Sequence, residues 1–324
     1  MEIYIKKKSI SALAEGDVID DIFAVKIKKG FQPYVKGFCF EILITDNSGK
    51  TLEYKYWGGN DENKVRTLYE SIKSDNVIRV QGKVSVYNNK LQLATNEPML
   101  VEVLQDGQYI QQDFIKPAKK DITQMYEELQ QVIAQIVDSE IKKLLEVIFR
   151  EKGEKFKQHP GAIEIHHNWM GGLLQHTLEV VHFCQTACQL YPALNKDLLL
   201  AGALLHDIGK LEELEMTSRI KGTVKGQLVG HLVFSTIYLS QKLAESSLPE
   251  EMKNKLLHLI VSHHGHQEYG SPKEPMFPEA IVLYYADELS SKAAEMLEYV
   301  EDGKTTTEDD FIFSKRHGRN IYLK

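Results

Sequence analysis

The chain has 324 residues, enough for two domains that each bury a core of their own. Its 43% hydrophobic and 26% charged residues are those of a folded globular protein and argue against disorder. A formal net charge of −7 excludes nucleic-acid binding through bulk charge alone, but residues 1–105 hold 15 basic against 14 acidic side chains and the remainder 24 against 32.

All 12 histidines lie at or after His159, so the two parts differ in chemistry as well as charge. The opening MEIYIKKKSI lacks the apolar region of a signal peptide. The longest apolar run, 198–205, is far short of the roughly 20 residues that span a membrane. The expectation is a cytoplasmic protein with no membrane partner. Cys39, Cys184 and Cys188 make no disulfide framework, and Cys184 and Cys188, at i and i+4 of an apolar helical pattern, read as core packing.

In chain order, the pattern from Asp17 to about Val103 alternates with a period near two. DVIDDIFAVKIKK reads as one strand. GFCFEILITDNSGK reads as a second, with Phe38, Phe40, Ile42 and Ile44 on one face before a DNSG turn, and TLEYKYWGG as a third. ENKVRTLYESIKSDN has helical spacing, with Val65, Leu68, Tyr69 and Ile72 on one stripe. VIRVQGKVSVYNNKLQLA returns as a hairpin over Asn88-Asn89. Three strands, a helix and two strands in this order predict an OB-fold barrel over residues 1–105. Residues 106–120, polar with Gly and Pro, read as a linker.

Beyond the linker the period becomes 3.6. Ile122 to Phe149, LEVVHFCQTACQL, DLLLAGALL, LVFSTIYLSQKLAE, KNKLLHLIVSHH and PEAIVLYYADELSSKAAEMLEYV are predicted helices, separated by Gly, Pro, Asn or Ser. Residues 121–305 thus form an all-α bundle and 306–324 a tail. Inside it, the eight-residue apolar run 198–205 leads straight into His206 and Asp207, and a carboxylate buried there costs several kcal/mol unless something neutralises it. Ligand-type residues recur one helix and one connection apart: His176, His206-Asp207, His231, His263-His264 and Asp287. Helices packed about one centre would bring these imidazoles and carboxylates together on a divalent cation, which would compensate Asp207. Lys210, at i+3 from Asp207, would set an ammonium beside a phosphate, or would simply be a cation at a helix end.

The order H…HD…H…HH…D resembles the HD-domain superfamily of metal-dependent phosphohydrolases over residues 155–300. HHNWMGGLLQHTLEVV, TVKGQLVGHL, VSHHGHQEYGSPKEP and YYADELSSK, behind an OB-like domain, resemble more narrowly the YhaM family of 3′→5′ exoribonucleases. The superfamily resemblance implies that His176, His206, Asp207 and Asp287 bind one metal. It also implies that Asp207 bridges to a second ion held by His231 and His263, with His264. The family implies Mn²⁺-stimulated trimming of single-stranded RNA, or of single-stranded DNA, from the 3′ end. Mixed His and carboxylate ligation equally suits Fe, Co or Zn. Two cations about 4 Å apart would clamp the scissile phosphate and acidify a water; Asp207 and Lys210 are the candidate catalytic residues. Two other readings share these residues: a nucleotide or cyclic-nucleotide phosphohydrolase, and a single-strand-binding regulatory protein whose metal is structural.

For substrate contact, base stacking in an OB domain needs exposed aromatics beside cations. Tyr34, Trp57 and Tyr87 qualify, with Lys36, Lys55, Lys83 and Lys90 nearby, although core packing competes at each ring. His166 and His167 precede the first ligand helix and read either as phosphate contacts or as an ordinary loop. Glu268 and Tyr269 lie just past the paired histidines, where Tyr269 would stack a terminal base. His182, His258 and His266 fall outside the pattern. The tail, with Lys315, Arg316, Arg319 and Lys324 among aromatics, reads either as an RNA contact or as a charged edge strand.

Overall fold

The computed structural model describes residues 2–118, 120–163 and 167–324, so the candidate His166 lies outside the described residues. The chain divides into two compact units, Met1–Pro117 with Met216–Lys221, and Ala118–Glu215 with Gly222–Lys324. Residues 106–117, read as linker, group with the first unit, where Phe114 packs with Ile22, Ala24, Val77 and Leu104.

The first unit holds β1 (Val18–Tyr34), β2 (Gly37–Thr45), β3 (Thr51–Trp57), α1 (Glu62–Ser71), β4 (Val77–Tyr87), β5 (Lys90–Asn96) and β6 (Val101–Leu104). The strand order is β1-β2-β3-β5-β4-β6, and β1 also pairs with β4. This is the OB arrangement expected, built as a mixed sheet in which β3 and β5 run parallel and β6 extends the β4 edge. Register shifts between Val25 and Ile27 and between Lys28 and Gly30 bend β1, so its first half pairs with β4 and its second with β2. Alternation then decides the core. Phe40, Ile42, Ile44 and Tyr54 are buried with Phe23, Ile78 and Leu93, while Glu41, Glu53, Lys55 and Trp57 have the opposite parity.

The second unit is helical: α2 (Ile122–Ala134), α3 (Ser139–Gln158), α4 (Gly172–Leu190), α5 (Lys196–Leu205) and α6 (Lys210–Glu213). After the short strands β7 (Leu214–Met216) and β8 (Ile220–Gly222) come α7 (Val224–Val229), α8 (His231–Ala244), α9 (Glu250–Ser262) and α10 (Pro278–Thr306). The helix expected from Ile122 to Phe149 is two. Asp138 caps α3 by accepting from Glu140 N and Ile141 N, and Asp197 of α5 accepts from Val137 N and Asp138 N, which fixes the break. The six longer helices of this unit besides α3 bury Leu129, Val180, Leu199, Leu239, Leu259 and Leu283 with Leu145 of α3 in one core. The tail folds as a hairpin of β9 (Phe311–Ser314) and β10 (Arg319–Tyr322), with Leu323 buried against Gly303. Among the described residues, no helix is long and apolar enough to cross a membrane.

Candidate metal centre and nucleic-acid face

The eight-residue apolar run forms most of α5, and the helix ends at Leu205 with His206 as its C-cap. Lys210 therefore does not share one helix end with His206 and Asp207, against expectation, but opens the short α6. The turn between them still brings Lys210 Nζ to 2.6 Å from Asp207 Oδ2. Gly209 makes the turn possible: a Cβ there would lie 2.1 Å from His231 O and 2.6 Å from Ser235 N. Gly209 N donates to Ser235 Oγ at 2.8 Å, and Ser235 Oγ donates to His206 O at 3.2 Å, so α8 begins against the turn and carries His231 in.

His176 comes from α4, His231 from the start of α8, His263 and His264 from the end of α9, and Asp287 from α10. The candidate ligands converge in two groups, one on each oxygen of Asp207. Oδ2 lies 3.5 Å from His176 Nε2 and 3.4 Å from His206 Nε2, and Asp287 Oδ1 lies 3.0 Å from His176 Nε2. On the other side, Oδ1 lies 3.5 Å from His231 Nε2 and 3.7 Å from His263 Nε2, while His231 and His264 present Nε2 atoms 3.2 Å apart. Asp207 is 3% exposed, and His206 and His263 are fully buried.

Every one of these imidazoles is held from behind. The Nδ1 atoms of His206, His263 and His264 face the carbonyls of Ala203, Ile260 and Tyr269 at 2.8, 2.6 and 3.2 Å. His231 Nδ1 lies 3.0 Å from Glu213 Oε2, and His176 Nδ1 3.0 Å from Ser290 Oγ. A ring whose Nδ1 donates to a carbonyl offers a bare lone pair at Nε2. Nε2 atoms meet nose to nose between His176 and His206 and between His231 and His264, and His263 Nε2 is buried with no hydrogen-bond partner. Convergent, desolvated lone pairs around a carboxylate fit a divalent cation and little else.

The electrostatics agree with the burial. Burial opposes the charge on Asp207, but Lys210, His206 and His263 more than offset it and hold the carboxyl well below its usual range. Burial likewise opposes charge on Asp287, yet His176 and His206 draw it down. Burial, then His263 and His231, push His264 down to about 4, and burial lowers His176 and His263, so these rings are neutral at pH 7. Burial opposes charge on His206, but the charge and hydrogen bond of Asp207, the charge of Asp287 and the Ala203 carbonyl together raise it.

A cavity of about 520 Å³ opens beside the centre, lined in part by Ala162, Lys210, Glu213, Gln227, Leu228 and Gly230. Its size suits a mononucleotide. Tyr269, 58% exposed, sits on a short turn whose backbone supports His264. His167 does not reach a substrate-facing surface: it is 1% exposed and its Nε2 is engaged by Glu179 Oε2 at 3.1 Å. His182 pairs with Glu128, His258 accepts from Met276 N, and His266 approaches Glu274, all outside the centre.

In the first unit Tyr34 and Trp57 meet edge to face at 4.8 Å, with Lys55 Nζ 4.3 Å above the indole. With Lys36, Asn96 and Glu97 the two rings line a depression of about 370 Å³. Tyr87, 65% exposed, is not part of this face: it pairs with Lys90 at one end of β5, whereas Trp57 pairs with Asn96 at the other, roughly 20 Å along the strand. Sequence reasoning missed Glu179, Glu213, Ser235 and Ser290. Glu179 and Ser290 had a signal, each standing three residues after a candidate ligand, His176 and Asp287, on the same helix face.

Imidazoles carried by four helices or their ends, with one aspartate from a turn and one from a helix, gather in a bundle and define an HD-domain protein, and residues 173–292 match the HD domain family. Dependence on a divalent metal follows from that domain and its His/Asp cluster. Over most of its length the chain is similar to 3′-5′ exoribonuclease YhaM. It is 31% identical to the Bacillus pumilus protein across 307 residues, covering 92% of this chain and 94% of that one. The Bacillus subtilis protein gives 31% with coverages of 92% and 94%, and that of Shouchella clausii 30% with 89% and 89%. The chain belongs to the YhaM family. Among solved structures, the OB domain of Ta0387 from Thermoplasma acidophilum covers 30% of this chain and 85% of its own, at 11% identity and a TM-score of 0.24.

Proposed function

We propose that this protein is a cytoplasmic, metal-dependent exoribonuclease that removes mononucleotides from the 3′ end of single-stranded RNA, and of single-stranded DNA with the same machinery. The observation that carries the reading is the split of candidate ligands between the two oxygens of Asp207. His176, His206 and Asp287 gather near one and would hold one ion with it, and His231, His263 and His264 gather near the other and would hold a second. The relatives named 3′-5′ exoribonuclease supply the polarity and the substrate class. Two bound divalent cations, with Mn²⁺ the first choice, supply Lewis-acid charge to the scissile phosphate and acidify the attacking water.

The chain's own groups do the rest. Lys210, held by Asp207 at the cavity wall, places an ammonium where phosphate charge builds. The cavity beyond it takes the terminal nucleotide, with the Gln227 amide at its edge and Tyr269 as a stacking surface near the centre. Tyr34 and Trp57, flanked by Lys36 and Lys55, grip the strand by stacking that every base can make. A small soluble nucleotide would not need such a face, which favours the exonuclease over a nucleotide phosphohydrolase.

The test uses the full chain with Mn²⁺ and an unstructured RNA labelled at its 5′ end. Wild type should produce a ladder shortening from the 3′ end, and Asp207→Ala should bind the RNA and leave it intact. Trimming by Asp207→Ala at the wild-type rate would remove Asp207 from the centre.

A further inference from the structure

The five candidate ligand imidazoles are not anchored alike. Three donate Nδ1–H to backbone carbonyls, which can only accept, and His231 faces the carboxylate of Glu213, so the proton's place on those rings is settled by the first contact. His176 is different. Its Nδ1 faces the Ser290 hydroxyl, which is able either to accept or to donate. A donating hydroxyl would leave the ring proton on Nε2, the nitrogen that points at Asp287 and Asp207 and has to be bare to ligate.

What turns the hydroxyl lies one step further out. Ser290 Oγ is 2.8 Å from Glu179 Oε2. Gln175 Nε2 donates to Glu179 Oε1 at 2.9 Å, and His167 Nε2 meets Oε2 at 3.1 Å. Gln175 is itself oriented by Trp169 Nε1, which donates to its Oε1 at 3.3 Å. Each of these three groups, Ser290, Gln175 and His167, faces Glu179 with a proton to give. Burial opposes the charge there, yet the bonds from His167, Gln175 and Ser290 hold the carboxyl down at about 2, so it only accepts. Ser290 has a single proton and gives it to Glu179. Its lone pair is then left for His176 Nδ1–H, and Nε2 is left bare.

We propose that Glu179 is a positioning residue that fixes, through Ser290, the tautomer of His176 and with it the affinity of the His176–His206–Asp207 group for a divalent cation. The proposal rests on His176 being a ligand, as read above. Outer partners of this kind typically govern metal affinity by about 10- to 100-fold. Glu179→Gln keeps the shape but introduces an amide that has to donate somewhere. Gln175, held by Trp169, already directs its own N–H at one end, so the new donor falls on the Ser290 and His167 side and reverses the chain. Ser290→Ala cuts the same chain with the loss of one oxygen.

The experiment uses the full chain, metal-free and labelled with ¹⁵N in histidine. It reads the ring-nitrogen shifts of His176, then Mn²⁺ binding by calorimetry. Wild type should show the Nδ1–H tautomer. Glu179→Gln and Ser290→Ala should lose it or mix it with the other, and should bind one class of Mn²⁺ about 10- to 100-fold more weakly while the other class is unchanged. Ser290→Ala is the smaller change and carries the test alone if Glu179→Gln does not fold. Folded variants that keep the Nδ1–H tautomer and wild-type Mn²⁺ binding would overturn the role of Glu179. Wild-type His176 signals unmoved by Mn²⁺ would instead overturn the reading of His176 as a ligand.

Discussion

Gly209→Ala separates the two halves of the centre without replacing any candidate ligand. The added methyl would sit 2.1 Å from His231 O and 2.6 Å from Ser235 N, where ordinary contact needs about 3.4 Å or more. The start of α8 has to retreat by about 1 Å, because the opposing atoms are backbone and cannot rotate aside. His231 retreats with it, away from Asp207 Oδ1, which it now faces at 3.5 Å, while His176, His206 and Asp287 on the Oδ2 side stay in place. Overpacking of this size costs about 1–3 kcal/mol of stability. A misplacement of 1 Å costs about 100-fold in rate. The assay is turnover on unstructured RNA together with metal stoichiometry. The variant should remain folded, keep one ion and lose about two orders of magnitude in kcat. Wild-type turnover with two ions bound would mean that the approach of α8 to Gly209 does not position the centre.

Three further outcomes follow from the geometry. Trp57→Ala should raise KM for a long single strand by roughly 5- to 150-fold with kcat unchanged, since one stacked base is worth about 1–3 kcal/mol, and should leave a dinucleotide substrate unaffected; an unchanged KM on long RNA would remove the Tyr34–Trp57 face from substrate binding. His159, 3% exposed, hydrogen-bonds Lys210 O, and burial lowers its ring to about 4. The unfolded chain takes up that proton below about pH 6.5 and the folded chain only near 4, so stability should fall by up to about 3 kcal/mol as pH drops through this window. In denaturant titrations His159→Gln should flatten that part of the profile, and an identical slope would place the acid sensitivity elsewhere. Glu213→Gln, which weakens the carboxylate behind His231 Nδ1, should lower Mn²⁺ affinity by about 10-fold or more in calorimetry, and unaltered binding of both ions would contradict that support.

The helical unit was legible because its elements are long and periodic, and its candidate ligands because each stands one helix and one connection after the last. Local chemistry misled in two places. Asp138 looked like one more polar residue within a continuous helix, although an Asp before Ser139 and Glu140 is a cap; the bond that settles it comes from Asp197, 59 residues away. His206, Asp207 and Lys210 looked like one helix end, and the turn at Gly209 is dictated by α8, which sequence spacing does not reveal. In the first unit, alternation told the faces of β2 and β3 apart, but not the bend of β1 or the far placement of Tyr87, which depend on pairing register. Glu179 and Ser290 stood at readable spacings. Their meaning emerged only when α4 and α10 packed together and brought two side chains 111 residues apart to 2.8 Å.

The central claim is that Asp207 lies between two cations. Crystals of the full chain grown with Mn²⁺ and measured for anomalous scattering test it most directly. The account predicts two peaks, one on the Oδ2 side near His176, His206 and Asp287 and one on the Oδ1 side near His231, His263 and His264. A single peak away from Asp207, or none among these side chains at saturating Mn²⁺, would contradict it.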